Sequence, residues 1–264
     1  MHTLTSSERQ VLQTIEQHQM LDQVLTWAAV NSGSSNLAGL AATAKMLADA
    51  FAVLPGDVAL VAPEPVDRVL PDGSIKTVAH GEHLLVTVRP DSPTQLLFTG
   101  HMDTVFPADH SFQQMRWLED GTLNGPGVAD MKGGISVMLA AIRAAELSGS
   151  LARTGYQILI NSDEEVGSPS STKLIAELAQ NKLAALTYEP ALPDGTLAGA
   201  RGGSGNFSVV FSGLAAHAGR NPDDGRNAVL AAADLALRLK RLSHEGLSVN
   251  PAKIEGGGPN TIVP

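Results

Sequence analysis

The sequence predicts an α/β fold, a largely parallel sheet flanked by helices, and three observations point to it. Between residues 96 and 189, strand-like and helical stretches alternate in the order strand, helix, strand, helix, strand, the signature of right-handed crossovers. The strand-like runs Q-L-L-F-T-G-H, Y-Q-I-L-I-N and L-A-A-L-T-Y-E are continuously apolar up to their ends, as buried strands of a parallel sheet are. The chain has 264 residues, 43% hydrophobic and 17% charged, which suits one large domain or two smaller ones.

Each element follows from its local pattern. Residues 7–30 place Val11, Leu12, Ile15, Leu21, Val24, Leu25 and Ala28 at a helical period that breaks near Gln17–Gln19. A second helix is expected over 36–52, with Asn36 as cap and Leu37, Leu40, Ala41, Met46 and Leu47 as its stripe. The period then switches. V-A-L-V-A, V-D-R-V-L, I-K-T-V-A and H-L-L-V-T-V read as strands, with Pro71-Asp72-Gly73-Ser74 as a turn between two of them. Residues 133–148 form a strong helix closed by Gly149. Ser168-Pro169 predicts another, with serine as cap and proline at the first helical position, running to about Asn181. The Pro- and Gly-rich stretch from Pro190 to Gly205 reads as a crossing between domains, which divides the chain into 1–192 and 193–264. Beyond it, N-F-S-V-V-F reads as a strand, about 226–242 as an Ala/Leu helix and 247–254 as a further strand.

Composition narrows the chemistry. A net charge of -9 argues against nucleic acid or an anionic membrane as partner. No stretch approaches the roughly 20 apolar residues of a membrane span. The first ten residues lack a basic region followed by an apolar one, so a cytoplasmic protein is expected. Without cysteine, any transition metal must be held by histidine and carboxylate.

The carboxylates fall where such a site would lie. His101, the pair Glu164/Glu165 and Glu189 each follow an apolar strand, and open parallel sheets collect ligands at the carboxyl ends of their strands. Asp130 lies in the turn G-P-G-V-A-D-M-K-G-G just before a helix. That turn lacks the lysine and hydroxyl order of a phosphate-binding loop, so a nucleotide-binding module is the weaker reading. One histidine and several carboxylates crowded together repel unless a cation neutralises them. Two divalent ions about 3.5–4 Å apart suit the set. Zinc is the first choice, with cobalt or manganese as substitutes. Glu164 and Glu165, adjacent in extended chain, would point to opposite sides, so one can coordinate while the other handles a water's proton. Asp103, two residues after His101, can accept a hydrogen bond from the second ring nitrogen. The rival readings are a solvated acidic loop, a core histidine and a turn-capping aspartate.

Six motifs stand in a specific order: G-H-M-D-T-V at 100–105, N-G-P-G-V-A-D-M-K-G-G at 124–134, N-S-D-E-E-V-G-S at 161–168, Y-E-P at 188–190, A-A-H-A-G at 215–219 and G-G-P-N-T-I-V-P at 257–264. On these the chain resembles the di-zinc glutamate carboxypeptidase, aminoacylase and acetylornithine deacetylase family, closest to bacterial glutamate carboxypeptidases. The resemblance implies a catalytic domain on a mixed, largely parallel sheet and a smaller α+β, ferredoxin-like dimerisation domain. It implies that His101 and Glu165 bind different zinc ions, that Asp130 bridges them and that Glu189 joins the His101 ion. Glu164 would be the general base and Asp103 would orient His101. His217 would reach the partner subunit's active site, and Asn260 would sit near the substrate. A cis bond is implied between Asp130 and Met131.

The implied activity is hydrolysis of an amide or peptide bond beside a terminal carboxylate, on a small peptide or N-acyl amino acid, by a homodimer. Family members continue past Pro264 through the rest of the small domain, a substrate-binding arginine and a final histidine ligand, so the chain reads as C-terminally truncated. The rival function is therefore a family member that folds and dimerises without turnover. Arg201, in A-R-G-G-S-G, reads as a solvated or interface arginine rather than a carboxylate binder.

Overall fold

A computed structural model describes residues 4–70, 72–199 and 202–264. Pro71 of the expected turn, and Arg201, lie outside the described residues. The chain divides into two compact units. One ends at Val66 and resumes over Ala79–Gly202; the other comprises Asp67–Val78 and Gly203–Pro264.

The first unit begins with helices α1 (Ser6–Gln13), α2 (Gln17–Ala28) and α3 (Leu37–Phe51). The break expected near Gln17–Gln19 falls slightly earlier, after Thr14, and Thr5 and Glu8 close a reciprocal capping box on α1. Asn36 caps α3 by accepting the Gly39 N–H at 3.1 Å. Strand β1 (Asp57–Val61) is followed by β2 (Val66–Val69) and β3 (Ile75–Val78), a two-stranded pair that belongs almost wholly to the second unit. The first unit then continues with β4 (His83–Val88), β5 (Thr94–His101) and a small ribbon of β6 (Arg116–Trp117) and β7 (Leu123–Asn124). Helix α4 (Gly133–Leu147), strand β8 (Thr154–Asn161), helix α5 (Thr172–Leu178) and strand β9 (Ala184–Thr187) complete it. Gly149, with φ +76°, ends α4 as its sequence position predicts.

The five-stranded sheet runs β1-β4-β8-β5-β9. β5 is parallel to both β8 and β9, while β4 is antiparallel to β1 and β8. The sheet is therefore mixed, with a parallel heart. Side-chain alternation divides its two faces. Phe98, Tyr156, Ile158 and Ile160 pack with Leu47 and Phe51 of α3 and Ile135 and Met138 of α4. Leu97 and Leu159, one residue out of step, pack with Leu178 of α5. The chain leaves β8 for α5 and returns at β9 on the far side of β5, so the ends of three parallel strands come to one edge.

α5 starts later than the Ser168-Pro169 pattern predicts. Ser168 has φ +57°, and its carbonyl accepts the N–H and hydroxyl of Thr172, so the helix begins at Thr172. Proline is consumed in the approach rather than in the helix.

In the second unit, β10 (Ala216–His217) and β11 (Ile262–Val263) pair antiparallel, and α6 (Ala228–Lys240) is capped by Asn227, which accepts the Leu230 N–H at 2.9 Å. The strands expected over 206–211 and 247–254 do not form. Alternating apolar residues at 207, 209 and 211 have no neighbouring strand to pair with, and an unpaired strand is not stable. Among the described residues, no helix is long and apolar enough to cross a membrane.

Candidate metal centre

His101 is the last residue of β5 and is only 1% exposed, so both ring nitrogens must find partners within the protein. Nδ1 lies 3.0 Å from the backbone carbonyl of Asp103 and 3.3 Å from its Oδ1. Nε2 faces Asp130 Oδ1 at 3.0 Å and Glu189 Oε1 at 3.7 Å. The network assigns the Nδ1 proton to Asp103, which turns Nε2 toward the carboxylates. Burial alone would lower the pKa of His101, but Asp103 and Glu189 outweigh it and push it up to about 11. Nε2 therefore lies where positive charge is demanded.

Asp103 is buried and does more than orient a ring. Its Oδ1 accepts the Glu164 N–H at 3.1 Å, and its Oδ2 accepts the Glu165 N–H at 3.1 Å and the Ser34 hydroxyl at 2.7 Å. Glu164 and Glu165 are consequently not extended chain: Glu164–Val166 forms one 3₁₀ turn with the Asp103 carboxylate at its start. Their side chains diverge by the roughly 120° per residue of that turn, not by the pleat of a strand. The turn follows β8 and is held from behind by Asp163. That buried carboxylate accepts the Ser170 N–H and hydroxyl (2.6 and 2.8 Å), the Ser171 N–H and hydroxyl (3.2 and 2.7 Å) and the Asn161 amide (3.1 Å). Burial would raise its pKa; the serine hydrogen bonds prevail and lower it. Asp163 thus supports the turn, while Glu164 and Glu165 are left to face the site.

Asp130 is brought in by its glycine-rich turn. Gly127 takes φ +69°, and the Asp130–Met131 bond is cis. A Cβ on Gly134 would stand 2.0 Å from the Tyr188 carbonyl oxygen, so only glycine lets α4 start against the residue that precedes Glu189. Potential ligand atoms of His101, Asp130 and Glu165 lie within 4.8 Å of one another, and so do those of His101, Glu164 and Glu189. Burial, reinforced by the neighbouring carboxylates, raises the pKa of Glu164 and pushes Glu165 up to about 7. Among the described residues, no lysine or arginine forms a salt bridge with Asp130, Glu164 or Glu165. One imidazole nitrogen among clustered carboxylates is a donor set that fits divalent metal of the zinc, cobalt or manganese type.

The other two candidates belong to the second unit. His217, in β10, accepts the N–H groups of Gly219 and Arg220 on Nδ1, both at 3.1 Å. Asn260 is exposed and stands two residues before Ile262, the register partner of His217. Ser34, Asn161, Ser170, Ser171 and His83 were not expected at the site. The hydroxyl run S-P-S-S, which follows the acidic triplet after Val166 and Gly167, was the available signal for Ser170 and Ser171.

The fold and the site define an α/β protein with a carboxylate-rich candidate metal centre at the carboxyl edge of its parallel strands. The chain belongs to peptidase family M20/M25/M40, whose model matches residues 97–258. It is 31% identical over 187 residues to carboxypeptidase G2 of Pseudomonas sp. (strain RS-16), covering 70% of this chain and 45% of that protein. It is 32% identical over 189 residues to the succinyl-diaminopimelate desuccinylase of Maricaulis maris (strain MCS10), covering 63% and 47%. The chain thus spans about half the length of these curated relatives. Among solved structures, a tripeptidase from Staphylococcus aureus shares the fold with a TM-score of 0.58 at 20% identity, covering 95% of this chain and 64% of that one.

Proposed function

We propose that this protein is a metal-dependent hydrolase that cleaves an amide or peptide bond beside a terminal carboxylate, in a small peptide or an N-acyl amino acid. The observation that carries the reading is the convergence of His101, Asp130, Glu164, Glu165 and Glu189 at one sheet edge in a member of this peptidase family. The names of the relatives, a carboxypeptidase and a desuccinylase, favour the same bond class.

His101, Asp130, Glu165 and Glu189 would hold two zinc ions, with Asp130 shared between them. When bound, the ions would supply Lewis acidity that polarises the scissile carbonyl and brings the pKa of a water to about 7. Glu164 takes the proton of the attacking water and returns it to the leaving amine. Its raised pKa suits that exchange better than an ordinary surface glutamate would. Asp103 fixes the Glu164 and Glu165 backbone and the His101 ring together, so base and ligands keep a common frame. In a homodimer, the second unit would bring His217 to the partner's site to stabilise the developing oxyanion, with Asn260 near the substrate. His217 pairs with Ile262 on the β10–β11 ribbon and Asn260 stands two residues before that partner, which supports their acting as one group.

Hydrolysis of N-acetyl-L-glutamate and short glutamyl peptides, followed with zinc content, tests this. Glu164→Gln should keep zinc and lose about 10²–10⁴-fold in kcat; Glu165→Gln should lose zinc. Turnover that survives chelation, or Glu164→Gln at the wild-type rate, sinks the proposal.

A further inference from the structure

His83 takes no part in the metal-site reading, yet it is 1% exposed and touches the loop that carries Glu164 and Glu165 at two separated points. It opens β4, the strand beside β8. The Ser162 hydroxyl donates to the Gly81 carbonyl at 2.7 Å, so its proton is committed elsewhere. The Ser162 N–H points at His83 Nδ1 from 3.3 Å and Ser162 Oγ lies equally close; a backbone N–H can only donate, so the tautomer that satisfies it has Nδ1 accepting. A neutral ring with Nδ1 accepting carries its proton on Nε2. Nε2 faces Ser170 Oγ at 3.5 Å, and that hydroxyl donates to Asp163 Oδ2 at 2.8 Å. Ser162 opens the loop and Ser170 closes it. Between them stand the two glutamates.

We propose that His83 is a positioning residue: held neutral with its proton on Nε2, it staples Ser162 to Ser170 and so sets where Glu164 and Glu165 stand. Burial favours the neutral form by lowering the His83 pKa, and nearby His80 acts in the same direction; Asp163, the Ser170 backbone and Asp103 oppose without reversing it. A cationic ring would set a second N–H against the Ser162 N–H and break the staple at its first contact. The consequence for the site rests on the reading of Glu164 as base and Glu165 as ligand. The staple itself does not.

The test uses three measurements that separate those two claims. Long-range nitrogen–proton NMR of the wild-type protein should show the His83 ring neutral with the proton on Nε2 at pH 7; an Nδ1–H ring overturns the proposal. In metal-free protein, His83→Leu should speed hydrogen exchange at the Glu164 and Glu165 amides at least tenfold while β8 amides stay as in wild type. His83→Asn, which keeps an acceptor for the Ser162 N–H, should recover part of that protection. A folded His83→Leu with unchanged exchange at 164 and 165 overturns the proposal, as does a loss spread evenly over β8. Zinc titration should then show His83→Leu weakened about 10- to 100-fold, the range expected when a ligand loses its outer support. Wild-type protein that binds no zinc and hydrolyses nothing, but shows the tautomer and the local exchange effect, would sink the hydrolase reading and leave the staple standing.

Discussion

The two compact units place similar apolar side chains in opposite surroundings. In the first, Leu47, Phe51, Leu84, Val86, Ile158 and Ile160 are fully buried between a five-stranded sheet and its helices. In the second, none of the described residues is buried: Phe207 is 92% exposed and Leu237 is 63% exposed. Hydrophobic content does not separate them; layering does. A sheet with α3 and α4 on one face and α5 on the other gives its apolar residues a partner layer, whereas one helix and two two-stranded ribbons do not. The candidate metal centre is built on the layered unit, where backbone positions are over-determined by packing.

That contrast can be broken by substitution. Phe51→Ala should destabilise the first unit by about 3–5 kcal/mol in urea unfolding, since its side chain is enclosed and leaves a cavity. Asp163→Asn should cost about 2–3 kcal/mol at neutral pH, because the serine hydrogen bonds serve a charged acceptor. The pH dependence has a definite sign. The folded pKa of Asp163 lies below its unfolded value of about 3.9, so its contribution is complete above that value and is lost as pH falls through the folded pKa. The gap between wild type and variant should therefore be constant from pH 7 to about pH 5 and close on further acidification. In the second unit, Asn227→Ala should cost about 1 kcal/mol through the lost helix cap, read as faster hydrogen exchange in the first turn of α6. Leu237→Ala should stay within about 0.5 kcal/mol of wild type. A Leu237→Ala cost equal to that of Phe51→Ala would show that the units do not differ in the way described.

The same contrast explains what could be read from the residues alone. Strands β5 and β8 were legible because continuous apolar runs need burial on two faces, and the structure supplies both. α3 was legible at its first residue because Asn36 could only gain by capping. In the second unit the alternation at Phe207, Val209 and Phe211 looked like a strand, but pairing is a property of two segments and local pattern names only one. Pairing of β10 with β11 was invisible for the same reason, each being two residues long. At the site, residue types and spacing pointed to the ligands and the base. They could not reveal that Asp103 caps the turn of Glu164 and Glu165, since that contact joins residues about sixty positions apart. Adjacent side chains point to opposite sides only in extended chain, and Glu164 and Glu165 lie in a 3₁₀ turn instead.

The contact of Gly134 with the Tyr188 carbonyl has a mechanical consequence. With no room for a Cβ between them, the start of α4 and the residue that follows β9 meet backbone to backbone. Asp130 is four residues upstream of this contact and Glu189 one residue downstream of it, so a bulkier side chain at position 134 would part Asp130 from Glu189.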